Sequence, residues 1–113
     1  MLESEALLIS AAIEALIAYL IVRATHWPCR GAIHAGFAAA VATAVTHPQL
    51  WAAALWAYPH FGYWPSVIVL EAIVVLVEGG LICWMAGLKL RRAMLLSLAT
   101  NAASCGAGFL IFR

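Results

Sequence analysis

Three glutamates, a histidine and an asparagine interrupt otherwise apolar stretches of this chain: Glu14, Glu71, Glu78, His47 and Asn101. Carboxyl and imidazole groups are the side chains that exchange protons or hold small cations when they are taken out of bulk water. Their depths can be compared by counting residues at about 1.5 Å of helical rise each. Glu14 lies nine residues before Arg23, His47 thirteen after His34, Glu78 fourteen after Trp64 and Asn101 nine after Arg92. Each of four apolar runs therefore carries one strongly polar side chain near its middle. Glu71 stands seven residues before Glu78, two turns away on the same helical face. Thr43, Thr46, Thr100 and Ser104 add hydroxyls nearby. Such groups usually serve packing in apolar helices; Thr46 and Ser104, with Asn101, are read as supporting the polar set.

An ionised side chain at the centre of a bilayer costs about 2.5–3.5 kcal/mol on insertion scales. Three intramembrane carboxyl groups must then be neutral, paired or hydrated, and their helices must turn them toward a shared interior. A Glu–His pair can share a proton, which is the chemistry of a proton relay or an ion-coupling site. Thr46-His47-Pro48 adds a local feature. Pro48 lacks an N–H and displaces the preceding turn, freeing carbonyls around Ala44 and Val45, and interrupted helices at the midplane are where transporters often bind ions. Whether a metal also binds stays open. Histidine with carboxylates suits zinc, manganese or iron by ligand type, but the ligands lie on separate helices and their spacing cannot test the idea.

The elements that must position these groups follow from composition. The chain has 113 residues, 66% hydrophobic and 10% charged, with a mean hydropathy of +1.01. Soluble domains run near 45–50% apolar and 25% charged, so the expectation is an all-α polytopic membrane protein. About 20 apolar residues make one span, which allows four spans in a single domain over residues 1–113 and leaves no length for a separate catalytic or cofactor domain. No cofactor is expected. A net charge of +1, without a basic run among aromatics, gives no argument for nucleic acid.

Apolar runs between polar breaks predict helices over about Glu5–Val22, Ile33–Trp56 (interrupted by Pro48), Ser66–Leu88 after Trp64-Pro65, and Arg91–Phe112. Five of the six basic residues fall between helices one and two or between three and four; the middle connection, Ala57 to Pro65, has none. The positive-inside rule then puts both basic connections in the cytoplasm and both termini outside, with Arg113 dissenting. The segment Tyr58 to Trp64 is the aromatic boundary expected on the outer side, and Trp27 and Trp84 mark the inner one. A weak repeat at an offset of 57 residues pairs Glu14-Ala-Leu-Ile with Glu71-Ala-Ile-Val, Trp27 with Trp84, and Ala42-Thr43 with Ala99-Thr100. Two parallel-repeat helical hairpins would produce it, as would chance in an alanine-rich chain.

Gly79-Gly80, Ala102 with Gly106, and Ser104 with Gly108 form small-residue faces that predict close packing of helices three and four. Cys29, Cys83 and Cys105 are too few and too scattered for a disulfide framework or a zinc motif. The opening Met-Leu-Glu-Ser-Glu lacks the positive start of a cleaved leader. Four helices enclose little volume, so a homo-oligomer, simplest as a dimer, or membership of a larger membrane complex is expected.

Thr46-His47-Pro48, Glu71-x6-Glu78, Arg92-Ala93 and Asn101-x2-Ser104-x3-Gly108, together with Glu14, resemble a group of small uncharacterised prokaryotic four-helix membrane proteins over most of the chain. That resemblance implies no activity; it implies the prokaryotic cytoplasmic membrane as location. In architecture alone the chain is also similar to the small multidrug resistance transporters, whose essential first-helix glutamate would map to Glu14. The residues flanking Glu14, the two further carboxyls and His47 depart from that family. The function expected is ion- or proton-coupled transport, or a channel-like activity, through Glu14, His47, Glu71 and Glu78. The alternative is an accessory or structural subunit contacting partner chains, pigment, lipid or quinone. A membrane-embedded Glu–His acid/base enzyme is a third class, without a recognisable nucleophile.

Overall fold

The computed structural model describes residues 3–111, and all four elements in them are helices: α1 (Glu3–Thr25), α2 (Ala32–Phe61), α3 (Tyr63–Ala86) and α4 (Leu90–Ile111). The predicted span end at Phe112, and Arg113, lie outside the described residues. The connections are short. Gly62 alone separates α2 from α3, at φ 86°, a left-handed conformation that a side chain would strain. Gly87 closes α3 in the αL conformation, its N–H donating to the Cys83 carbonyl at 3.1 Å.

α1 packs against α2 and α4, and α3 packs against the same two. Short connections between consecutive antiparallel helices give an up-down-up-down bundle, elongated to 43 × 24 × 19 Å. The connection at residues 26–31 meets the one at 87–89 at one end. There the Arg30 N–H donates to the Ala86 carbonyl at 2.8 Å, its guanidinium donates to the Met85 carbonyl at 3.0 Å, and Arg92 lies over the Trp27 ring. The opposite end carries Glu3, Glu5 and the aromatic turn around Gly62.

Each helix buries one narrow stripe at spacings of three and four residues. In α1 it is Glu14, Ala18 and Val22; in α3 it is Val74, Glu78, Ile82 and Ala86. In α4 it is Ala93, Leu96, Ser97, Thr100 and Asn101. α2 contributes alanines at 35, 38, 39 and 42, then Thr43 and His47. The outward faces are as apolar as the interior: Leu16, Phe37, Leu76 and Leu98, one from each helix, are all more than half exposed. Two helices, α1 and α3, are long and apolar enough to cross a membrane. α2 is diluted by alanine, three histidines and Gln49, and α4 by Arg91, Arg92, Ser97 and Asn101.

α2 runs on through Pro48 and Pro59 to Phe61, so most of the aromatic segment expected as an outer connection is helical. The small-residue faces behave unevenly. A Cβ on Gly79 would run into the Met94 side chain and backbone of α4, whereas Gly80, Gly106 and Gly108 have no neighbour where a Cβ would stand. A second close approach is at Gly36 of α2, where a Cβ would lie 3.0 Å from the Ala15 carbonyl oxygen of α1.

Candidate functional site

The alanine stripe of α2 lets α1 and α3 approach it from either side, and at Thr43 the stripe turns polar. The Thr43 hydroxyl lies 2.8 Å from Glu14 Oε2 on α1 and 3.2 Å from Glu78 Oε1 on α3. One turn further, the Thr46 hydroxyl lies 3.3 Å from Glu78 Oε2 and 3.0 Å from its own helix at the Ala42 carbonyl. The carboxyl groups of Glu14 and Glu78 are also within hydrogen-bonding reach of each other. Both residues are almost fully enclosed, at 3% and 2% exposure. A glutamate pair joined through a threonine thus sits where three helices meet.

Thr43 differs from its neighbours in how it uses its hydroxyl. Thr25, Thr46 and Thr100 each donate to a carbonyl of their own helix, the usual outlet for a helical threonine. Among the described residues, Thr43 has only the two carboxyl groups as hydroxyl partners.

From α4, Asn101 shares the cavity wall with Glu78. Its amide is aimed by the turn before it, donating to the Ser97 carbonyl at 2.9 Å. Ser97 in turn donates to the Val75 carbonyl of α3 at 2.9 Å, which fixes α4 against α3 at this depth.

A cavity of about 290 Å³ extends from this pair toward the aromatic end of the bundle. Its wall contains every residue singled out from the sequence: Glu14, Thr46, His47, Glu71, Glu78, Asn101 and Ser104. Ser10, Trp51, Tyr58 and Cys105 also line it, and among the described residues no Lys or Arg does. A smaller recess of about 140 Å³ joins His47, Trp51 and Tyr58 to Glu71. Glu71 is half-buried, within electrostatic range of Tyr58 and Cys105. Toward the basic end the interior is closed by apolar side chains, among them Ala18, Ala39, Ile82, Ala86 and Leu96.

The internal pairing differs from a glutamate–histidine contact. Among the described residues His47 makes no hydrogen bond to any of the three carboxyl groups; its ring lies 5.9 Å from that of Trp51, and its buried Nδ1 has no partner. Glu14 Oε1 is likewise buried without a partner. Two unsatisfied polar atoms on one polar cavity mark a place for water or a small hydrogen-bonding ligand. The repeat matched Glu14 with Glu71, yet in space it is Glu78 that meets Glu14. Among the described residues, no group of three or more His, Cys, Asp or Glu side chains is arranged to hold a metal ion.

Thr43 and the aromatic pair Trp51 and Tyr58 were not evident as site residues from sequence. Thr43 is four residues before His47, and Trp51 follows four after it, so helical spacing carried through Pro48 connects all three. Comparison of the chain with protein-family models, curated proteins and solved structures finds no match in any of the three.

Proposed function

We propose that the chain is a four-span protein of the prokaryotic cytoplasmic membrane that carries out ion- or proton-coupled transport, or a channel-like activity. Its binding groups are Glu14, Glu78, Glu71 and His47, supported by Thr46, Asn101 and Ser104. One observation carries this reading: a polar cavity lined from all four helices holds three carboxyl groups, an imidazole and, among the described residues, no Lys or Arg. Such a lining favours protons and cations over anions. The exterior supports a bilayer as the surrounding solvent, because large apolar side chains cover all four helices while Glu14 and Glu78 face inward. Five of the six basic residues, gathered at one end, orient the protein with that end in the cytoplasm, both termini outside and the cavity directed outward.

The experiment is reconstitution into sealed vesicles under an imposed proton or alkali-cation gradient. Coupled flux with the native chain, and its loss in Glu78→Gln, is the expected result. Equal leak from native, Glu78→Gln and empty vesicles overturns the reading.

The second reading, an accessory or structural subunit of a larger membrane complex, draws on Gln49. This amide is exposed on the outer face of α2, in a groove of about 430 Å³ with Val45, Leu70, Ile73 and Val77. Polar side chains facing outward within an apolar surface commonly join helices of neighbouring chains. Purification in mild detergent separates the two cases, since stoichiometric companion proteins favour the subunit.

A further inference from the structure

We propose that Glu14 and Glu78 hold a single proton between them, carried on Glu14, and that Thr43 is the positioning residue that makes the pair a one-proton site. The inference deepens the proposed function by naming the proton-binding group, and it rests on that reading only for its physiological use.

Counting hydrogens leads to it. An ionised carboxylate only accepts, and a threonine hydroxyl has one hydrogen to give. Thr43 stands between two carboxyl groups, 2.8 Å from one and 3.2 Å from the other, and cannot donate to both at once. With both glutamates ionised, one oxygen would face a bare lone pair, and two like charges would be buried side by side. Among the described residues no Lys or Arg lines the cavity to offset them. With both protonated, the donors gathered on Glu78 would have no charge to serve. One proton satisfies the arrangement.

The donors also decide where it sits. Both oxygens of Glu78 have a hydroxyl beside them, Thr43 at 3.2 Å and Thr46 at 3.3 Å, the latter shared with the Ala42 carbonyl. Glu14 has Thr43 alone, and its Oε1 has no partner among the described residues. The negative charge therefore rests on Glu78, and the acidic hydrogen on Glu14, which donates toward Glu78. On release, the O–H bond of Glu14 breaks, its electron pair stays on the carboxylate, and the proton passes to water in the cavity.

The other groups that face the pair do not replace this proton. α1 adds Ser10, and Glu3 is within electrostatic range of His47. α2 adds His47 and Tyr58, α3 adds Glu71, and α4 adds Cys105. Of these, only His47 can carry a positive charge, and it is not bonded to either carboxyl group.

Infrared spectroscopy of the purified full-length chain in detergent, titrated through neutral pH, tests the idea without any flux measurement. The carbonyl stretch of a protonated carboxyl group should report one protonated glutamate per chain at neutral pH. Glu14→Gln should abolish that band, and Glu71→Gln should leave it in place. Thr43→Val should shift its frequency and its titration midpoint, and Thr43→Ser should restore both. If Glu14→Gln does not fold, the two Thr43 variants and Glu71→Gln decide the matter. The proposal is overturned if the native chain shows no such band, if Glu71→Gln removes it, or if Thr43→Val leaves it unmoved. A normal band without coupled flux retains the one-proton pair and discards the transport reading.

Discussion

Thr43 on α2 and Glu14 on α1 are joined by a buried hydrogen bond of 2.8 Å. The same hydroxyl reaches Glu78 on α3, so one small side chain links three helices. Replacing it with valine keeps the shape and removes the only hydroxyl partner that Glu14 has among the described residues. We expect Thr43→Val to cost about 1–3 kcal/mol, the penalty for leaving a buried acceptor unsatisfied. Reversible denaturation in detergent measures it. Thr43→Ser should recover most of the loss, and equal stability of the valine and native proteins would contradict the assignment.

The close approach of α3 to α4 predicts a contrast between adjacent glycines. Gly79→Ala puts a methyl group into Met94, whereas the same change at Gly80 meets nothing. The first should destabilise by about 1–3 kcal/mol, as overpacked interiors do. Gly80→Ala should be neutral or stabilising by up to about 1 kcal/mol, since alanine is the better helix former. Shortening Met94 to alanine alongside Gly79→Ala should relieve much of the first cost. The three melting curves measured together check the contact.

Cys105 offers a chemical probe of the cavity's charge. It lines the cavity near Glu71 and is a free thiol. With Cys29 and Cys83 replaced by alanine, a small cationic thiol reagent should modify Cys105 several-fold faster than an anionic reagent of equal size. Glu71→Gln should narrow that ratio. Equal rates for both reagents would remove the electrostatic basis for cation selectivity.

Arg30 closes the basic end by reaching the carbonyl of Met85 and, through its own N–H, that of Ala86. These are carbonyls of the last turn of α3, where a positive side chain is favoured. Arg30→Ala removes the side-chain bond but keeps the backbone one. A loss of about 0.5–1.5 kcal/mol is expected, visible as a lower midpoint of thermal unfolding, with Arg30→Lys intermediate.

How much of this arrangement is legible in sequence depends on the type of residue. Glu14, Glu78 and Asn101 declare themselves because a strongly polar side chain in an apolar run has to face inward, and counting along each helix places them at one depth. Thr43 does not. In sequence it is indistinguishable from Thr46 or Thr100, which satisfy their hydroxyls within their own helices; only the meeting of α1 and α3 on α2 gives it another partner. Tyr58 is hidden for a different reason. Pro59 and Gly62 mark the segment as a connection, yet α2 absorbs Pro59 and continues to Phe61. The partner of Glu14 is equally a tertiary fact, since repeat spacing points to Glu71 and packing supplies Glu78.

The alanine-rich seal beneath the carboxyl pair has an electrical consequence. Voltage across a membrane falls where water is excluded, at about 2.3 kcal/mol per charge for each 100 mV. From Glu14 to Val22 the seal is roughly 12 Å of helix at 1.5 Å per residue, with Ala18, Ala39 and Ala86 fully buried in it. In the orientation proposed above, with the cavity hydrated, a proton reaching Glu14 would have crossed little of the field. Most of the drop would then fall on that dry layer, and the carboxyl pair would behave as the outer plate of a capacitor. Its occupancy should follow the acidity of the outer solution closely, while the membrane potential acts mainly on the step that carries charge past the alanines.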